Sequence, residues 1–290
     1  MKKVLVTGSK GQLGREIQLL SGEYKDIEFL FHDIDTLDLT DYLLLEEFFN
    51  NNKPCYLVNC AAYTAVDKAE KEKETAFKLN AELPGKLAEL CHKFNIKLIH
   101  ISTDYVFDGM NCRPYNEEDL PNPQSVYALS KYEGEQAILE YSHSIIIRTS
   151  WLYSTFGNNF VKTMLGLGES KDKISVVFDQ IGTPTYARDL ADVILKIINS
   201  SVTDDKKFIS GIYHYSNEGV CSWYDFAFEI MDIAGNNCKV FPILSELYPQ
   251  PAKRPLYSVL NKNKIKSAFN IEIPHWKDSL QKYFSHSGSD

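Results

Sequence analysis

The chain has 290 residues, 44% of them hydrophobic, and a formal net charge of −8 at pH 7. That length suits one large α/β domain or a nucleotide domain with a smaller lobe, and the apolar share suits a buried core. An acidic chain is a poor match for nucleic acid or an anionic membrane surface, where affinity comes from neutralising phosphates.

No apolar run reaches the roughly 18 residues that a membrane span requires. The basic start Met1-Lys2-Lys3 leads only into Val4-Leu5-Val6 before Thr7-Gly8, too short for a signal-peptide core. The six cysteines form no CxxC pair and the seven histidines no HExxH arrangement, so neither a zinc site nor a disulfide framework is expected. His100 lies inside an apolar run and reads as a core residue. A cytoplasmic location follows as the expectation.

In chain order, residues 3–7 read as a strand, followed by a glycine-rich turn and a helix over 11–20. Strand 27–32, helix 42–50, strand 56–59, one long helix over 71–94 and strand 97–102 continue the alternation. Parallel strands joined by crossover helices explain such a rhythm, because a tight hairpin cannot join parallel neighbours. A proline-containing loop leads to a helix over 127–141 and an apolar strand over 144–149. The expected fold is thus α/β, a Rossmann-type doubly wound parallel sheet.

Beyond Trp151 the rhythm loosens. A helix after Phe160, a short strand near 174–178, a loop over 179–185, a helix over 188–199 and a strand over 211–215 are expected, the last able to rejoin the main sheet. Helices near 223–234, 261–269 and 275–284 complete a smaller, interleaved C-terminal lobe. The expected division is a dinucleotide-binding domain of 1–150 with about 186–215, and a substrate-binding lobe of about 151–185 with 216–285. Residues 286–290 read as a frayed tail. The charge run Asp67–Glu74 reads as a solvated helix start.

Gly8-Ser9-Lys10-Gly11-Gln12-Leu13-Gly14 sets three glycines between the first strand and first helix. Glycines there permit positive φ and let the backbone approach a pyrophosphate at the helix N-terminus. Gly8, Gly11, Gln12, Leu13 and Gly14 are therefore cofactor-binding candidates. Asp33, at the end of the second strand, can accept hydrogen bonds from ribose hydroxyls and repels a 2′-phosphate, favouring NADH over NADPH. Asp35 and Asp38 are alternative carboxylates, and Asp38-Leu39 can lie against adenine.

Tyr127-Ala128-Leu129-Ser130-Lys131 puts a phenol and an ammonium one turn apart on one helix face. A nearby ammonium favours phenolate, so Tyr127 can exchange a proton with a carbonyl oxygen. Ser102-Thr103-Asp104-Tyr105 ends a predicted parallel strand, where open α/β sheets bind ligands. Thr103 can bond the same oxygen as Tyr127, with Ser102 as the alternative if the register slips by one.

Glycine turn, strand-end hydroxyl and Tyr/Lys pair together resemble an extended short-chain dehydrogenase/reductase. The finer resemblance, from Val4 to about Phe284, is to the dTDP-4-dehydrorhamnose reductase family. It rests on those motifs and on Asn59-Cys60-Ala61-Ala62-Tyr63-Thr64-Ala65-Val66-Asp67, Arg148-Thr149-Ser150-Trp151, Gly157-Asn158-Asn159-Phe160, Asp179-Gln180-Ile181-Gly182-Thr183-Pro184-Thr185 and Arg254-Pro255. The resemblance implies that Ala61, Ala62 and Tyr63 lie along the cofactor and that Lys131 also bonds the nicotinamide ribose. It makes Thr103, Asp104, Tyr105, Trp151, Asn159 and Arg254 candidates for the substrate side, with Trp223 left to pack the small lobe.

The implied activity is NAD(P)H-dependent reduction of a 4-keto sugar on dTDP, in dTDP-rhamnose and cell-surface polysaccharide biosynthesis. Implied partners are a dTDP-sugar and, as an open question, further copies of the chain. Magnesium accompanies some members of the family, but no ligand cluster assigns it here, so no metal-ligating residue is expected. Two rivals stand beside this reading: a sugar-nucleotide epimerase or dehydratase, and a non-catalytic subunit resembling the β subunit of methionine adenosyltransferase.

Overall fold

Val4, Leu5 and Val6 are fully buried, as are Ile145, Ile146 and Ile147. Such unbroken apolar runs belong to strands covered on both faces. A computed structural model describes residues 1–141 and 143–287. Its first half runs β1 (Lys2–Thr7), α1 (Gln12–Ser21), β2 (Ile27–His32), α2 (Tyr42–Asn52), β3 (Tyr56–Asn59), α3 (Val66–Ala69), α4 (Lys73–Phe77), α5 (Leu83–Phe94), β4 (Lys97–Thr103), α6 (Val126–Leu139) and β5 (Ser144–Thr149). The second half runs β6 (Leu152–Tyr153), α7 (Phe160–Ser170), β7 (Lys173–Val177), β8 (Ile181–Gly182), β9 (Thr185–Tyr186), α8 (Ala187–Thr203), β10 (Gly211–His214), β11 (Cys221–Ser222), α9 (Trp223–Ile233), β12 (Lys239–Ile243), α10 (Asn263–Phe269) and α11 (Trp276–Ser287).

Six strands form the main sheet in the order β10-β5-β4-β3-β1-β2, and every neighbouring pair is parallel. The expected strand at 211–215 does rejoin this sheet, at the edge beside β5. Leu13 and Ile17 of α1 and Leu190–Ile198 of α8 pack one face, while Leu45 of α2, Leu87 of α5 and Ile138 of α6 pack the other. The chain leaves β1 for β2 on one side and returns to β3 on the other. That reversal opens a crevice at the C-terminal ends of β1 and β3.

A separate core gathers Tyr153, Val161, Met164, Phe226, Ile230 and Trp276, from α7, α9, α11 and the small strands. Here β7 pairs in parallel with β12. No strand was expected at β12, Lys239-Val240-Phe241-Pro242-Ile243, which carries a proline and is mostly exposed. A two-stranded sheet is all edge, where a missing N–H is tolerated.

Three expectations are corrected. The long helix expected over 71–94 starts at Lys73 and is continuous to Phe94, but it contains a π-helical turn, Lys78–Glu82, between α4 and α5. Pro84 has no N–H for the carbonyl of Asn80, which widens the turn. That turn packs so closely on α6 that a Cβ on Gly134 would collide with the Asn80 carbonyl oxygen. The loop over 179–185 holds β8 and the start of β9. The frayed tail begins later than expected, since His286 lies in α11 with Nδ1 3.2 Å from the Tyr186 hydroxyl. Residues 288–290 of that expected tail lie outside the described residues.

Candidate functional site

Gly8 turns the chain out of β1 with φ +62°, and a Cβ there would lie 2.7 Å from the amide nitrogen of Ala61. A Cβ on Gly14 would lie 2.6 Å from the Cα of Ser9. Only glycine fits either position, one for its φ and its contact with the end of β3, the other for the packing of α1 on the turn. Gly11 is the N-cap of α1 and no side chain caps that end. The amides of the first turn are thus left to face the cleft that the turn borders.

This cleft has a volume of about 830 Å³ and runs along the C-terminal ends of β1, β2, β3 and β4. Gly8, Gly11, Gln12, Leu13 and Gly14 line it at one end, with Asp33, Asp38 and Leu39 beside them and Ala61 and Ala62 along its floor. Asp33 accepts hydrogen bonds from the amides of Lys10 and Ile34, both at 2.9 Å, so it also fastens the glycine turn to the end of β2. Lys10 Nζ pairs with Asp35 Oδ2 at 2.5 Å on the same rim. Asp38 Oδ1 accepts from the amide and hydroxyl of Thr40. A cradle that any Cβ would fill and a row of free helix amides fit the pyrophosphate of a nicotinamide dinucleotide.

Tyr63 departs from expectation. Asn80, buried in the π-helical turn, clasps its amide at 2.8 Å and its carbonyl at 2.9 Å. Its hydroxyl donates to Glu72 Oε2 at 2.7 Å, and Thr64 stands in the cleft wall instead.

Further along the same cleft stand Thr103, Tyr127 and Lys131. Ser125 caps α6, its Oγ accepting from the Ala128 amide at 3.2 Å, which fixes where the helix starts and hence where Tyr127 points. Two turns on, Glu135 makes a fully buried pair with Arg148 of β5, Nη2 to Oε2 at 2.6 Å and Nε to Oε1 at 2.9 Å. Thr103 and Ser102 both line this cleft at the end of β4, and the nearby Thr103 hydroxyl works towards lowering the Tyr127 phenol. Burial is the larger influence and raises the Tyr127 phenol to about 12, so the expected lowering by Lys131 is not seen. Lys131 Nζ instead donates to the Ile101 carbonyl at 2.7 Å and lies 3.2 Å from His100 Nε2.

Asp104 is buried beside Thr103, whose hydroxyl donates to Oδ1 at 3.1 Å, while Oδ2 has no partner. Burial raises its carboxyl to about 7, against the opposing influence of nearby Ser258 and Thr103. The Ser102 Oγ also lacks a partner.

Tyr105 and Trp223 join this cleft to a second cavity of about 900 Å³, lined by Phe160, Met164, Val176, Tyr248, Gln250 and Arg254 among others. Trp151, held at φ +48°, stacks on Trp223 with ring centroids 3.6 Å apart and planes 10° from parallel. Trp223 packs on the core of the small lobe, as expected, and also lines both cavities. Its signal in the sequence was ambiguous, because an aromatic opening a helix reads equally as core.

Arg254 lines the second cavity but is paired with Asp67, Nη2 to Oδ2 at 2.8 Å and Nη1 to Oδ1 at 3.0 Å. Asp67 is thus an anchor for the 252–254 segment as well as a helix-start charge. Asn159 is engaged by the protein itself. Its Oδ1 caps α7 through the Lys162 amide, and its Nδ2 donates to the Ser154 carbonyl and to Gln12 Oε1. Its polar atoms fasten α7 to the glycine turn, and it lines neither cavity.

Residues 1–288 match the family described as RmlD substrate binding domain. A dTDP-4-dehydrorhamnose reductase of Aggregatibacter actinomycetemcomitans is 41% identical, over 97% of this chain and 98% of that protein. The crystal structure of a dTDP-4-dehydrorhamnose reductase from Clostridium acetobutylicum superposes with a TM-score of 0.92 at 44% identity, over 98% of this chain and 99% of that one. That of the Bacillus anthracis enzyme, in complex with NADP, gives 0.92 at 40% identity, over 99% and 100%. With a glycine turn, a Thr/Tyr/Lys cluster and full-length similarity all in one chain, it belongs to the RmlD substrate binding domain family, the family of dTDP-4-dehydrorhamnose reductases.

Proposed function

We propose that this protein reduces the 4-keto group of dTDP-4-dehydro-L-rhamnose to give dTDP-L-rhamnose. The observation that carries the reading is the gathering of Thr103, Tyr127 and Lys131 in the cleft that starts at the glycine turn and joins the second cavity at Tyr105 and Trp223. Thr103 and Tyr127 hold the sugar carbonyl oxygen, and Tyr127 passes its phenolic proton to that oxygen. When bound, the nicotinamide cofactor supplies the hydride. Lys131 holds the nicotinamide ribose, while Gly8, Gly11, Gln12, Leu13 and Gly14 hold the pyrophosphate.

Ala61 and Ala62 lie along the cofactor, and Asp38 and Leu39 take its adenine end. Tyr105, Trp151 and Arg254 serve the substrate, with Trp223 added to them. An indole pair suits one face of a deoxysugar, and Arg254, already oriented by Asp67, suits its diphosphate. The buried Asp104 carboxyl, held near 7, donates to or accepts from a sugar hydroxyl.

Asp33 at the end of β2 supports a preference for NADH through the ribose hydroxyls. Lys10 beside it gives a 2′-phosphate one cation, so NADPH is the weaker but usable alternative. Among the described residues no group of three or more His, Cys, Asp or Glu side chains is placed to hold a metal ion, so no step is drawn through magnesium. The dinucleotide-binding domain of this reading is 1–150 with about 186–215, supported by β10 in the main sheet, and the remainder is the substrate lobe. No helix among the described residues is long and apolar enough to cross a membrane. A cytoplasmic location and self-association complete the proposal, tested by fractionation and by sedimentation.

The deciding experiment follows NADH and NADPH absorbance with freshly made dTDP-4-dehydro-L-rhamnose. One reduced cofactor consumed per ketosugar supports the reductase. Asp104 favours one second reading, an epimerase or dehydratase with an added acid, and product formation without net cofactor consumption would establish it.

A further inference from the structure

Arg254, Lys171 and Lys173 line the second cavity, and no Asp or Glu is among the described residues that do. Phe160, Phe241 and Tyr248 add flat apolar surface. Cations beside aromatic rings suit a nucleoside diphosphate, but they do not choose its base. A ring stacks on any base, and a cation meets any phosphate.

Gln180, between β7 and β8, lines the same cavity and is only 6% exposed. The backbone is pinned on both sides of it, the Phe178 amide donating to the Ile243 carbonyl at 3.0 Å and the Ile181 amide to the Leu256 carbonyl at 2.7 Å. Gln180 Nε2 donates to Ser245 Oγ at 2.9 Å, and the Ser245 hydroxyl donates to Asp179 Oδ1 at 2.7 Å. Elementary donor and acceptor rules fix the direction of this row. A hydroxyl has one hydrogen and a carboxylate only accepts, so the Ser245 hydrogen is committed to Asp179. Ser245 then offers Gln180 a lone pair, which calls for the NH₂ end of the amide. Gln180 Oε1 is the end turned away. No described residue bonds it and it keeps accessible surface, so it is left open to the cavity.

We propose that Gln180 is a specificity-determining residue, whose Oε1 accepts the imide N3–H of thymine or uracil and rejects cytosine. The inference rests on the dTDP-sugar reading given above and deepens it by naming the group that reads the base. Thymine and uracil carry a hydrogen on N3, whereas cytosine carries a lone pair there. Cytosine would set two acceptors face to face. Turning the amide over relieves that clash only by pressing Oε1 against a Ser245 oxygen that has no hydrogen left to give. Rejection of the wrong base is thus enforced by Ser245 and Asp179, neither of which lines the cavity.

The test titrates the full chain, with bound NADH, calorimetrically with dTDP, dUDP and dCDP, none of which can be reduced. Wild type should bind dTDP and dUDP roughly tenfold more tightly than dCDP, the worth of one buried hydrogen bond against an unpaired acceptor. Equal binding of dTDP and dCDP overturns the proposal. So does dUDP as weak as dCDP, which would mean that the 5-methyl group is read instead. Ser245→Ala keeps the backbone bond from position 245 to Asp179 but frees the Gln180 amide to turn, so dCDP should tighten severalfold while dTDP changes little. In Gln180→Leu, dTDP should weaken roughly tenfold and dCDP hardly at all. Equal weakening of both would reveal a merely structural role and overturns the proposal. Should either variant fail to fold, the wild-type ratios decide alone. Selective dTDP binding without ketosugar-dependent NADH oxidation would defeat the reductase reading and leave this one standing, and oxidation with dTDP and dCDP bound alike would do the reverse.

Discussion

The glycine-rich end of the cleft is assembled from strand ends met early and in chain order, β1, β2 and β3, whereas the far end draws Trp151, Trp223 and Arg254 from segments far apart in the chain. At the first end the backbone does the work, and a side chain at Gly8 or Gly14 would collide with it. At the second, shape comes from side chains that hold one another, as Trp151 holds Trp223 and Asp67 reaches across 187 positions to Arg254. Backbone-built sites leave a mark in local sequence. Side-chain-built sites leave aromatic and charged residues whose partners are visible only after folding.

Variants can break or sharpen this contrast. The largest effect is expected at Tyr127, where the two ends meet. Tyr127→Phe should lower turnover by ~10²- to 10⁴-fold while the dissociation constant for NADH, read by fluorescence titration, stays nearly unchanged. Near-normal turnover would remove the phenol from the chemistry.

Next in size is the buried pair that ties α6 to β5. Arg148→Ala leaves the Glu135 carboxylate buried without its partner, an expected loss of ~3–5 kcal/mol in denaturant unfolding. Both ends of the cleft share this anchor, so NADH affinity and ketosugar KM should worsen together. Unchanged stability would mean that α6 is held mainly by its apolar contacts.

A smaller effect is expected at the far end alone. Trp223→Ala should raise the ketosugar KM by about tenfold, roughly the worth of one aromatic contact, with NADH binding intact. Trp223→Phe, which keeps a ring against Trp151, should recover part of it. An NADH defect as large as the KM defect would contradict the separation of the two ends.

The smallest effect concerns cofactor choice. Asp33→Ala should lower kcat/KM for NADH by a factor of about three to ten and raise it slightly for NADPH, because repulsion is removed without adding an arginine clamp. Asp33 also holds the Lys10 amide, so part of the NADH loss comes from a loosened turn. Equal use of both cofactors by the wild type, unchanged in the variant, would place ribose recognition elsewhere.

Much of the cofactor end was legible in advance. The strands at 27–32, 56–59 and 144–149 have the bounds that their apolar runs suggest, and the glycines stand where the turn needs them. The π-helical turn inside the helix over 71–94 was less visible, because it depends on Pro84 and on α6 pressing against Asn80. Tyr63 and Asn159 share a feature that the sequence did not reveal. Each carries a polar group suited to a ligand, and each finds a protein partner that no local pattern announces, Glu72 in one case and Ser154 with Gln12 in the other.

By itself the sequence determined the alternation of strands and helices, the glycine turn, and the spacing of Tyr127 and Lys131 on one helix face. These are properties of short stretches, governed by backbone sterics and helical periodicity. Tertiary structure alone decided that β10 closes the sheet beside β5, that Trp223 enters the site, and that Lys131 faces His100 and the Ile101 carbonyl. It also decided that Tyr127 is raised, not lowered, in its proton affinity. Burial and partner geometry are sums over residues distant in the chain, and a proton's affinity for a buried group depends on that whole surrounding.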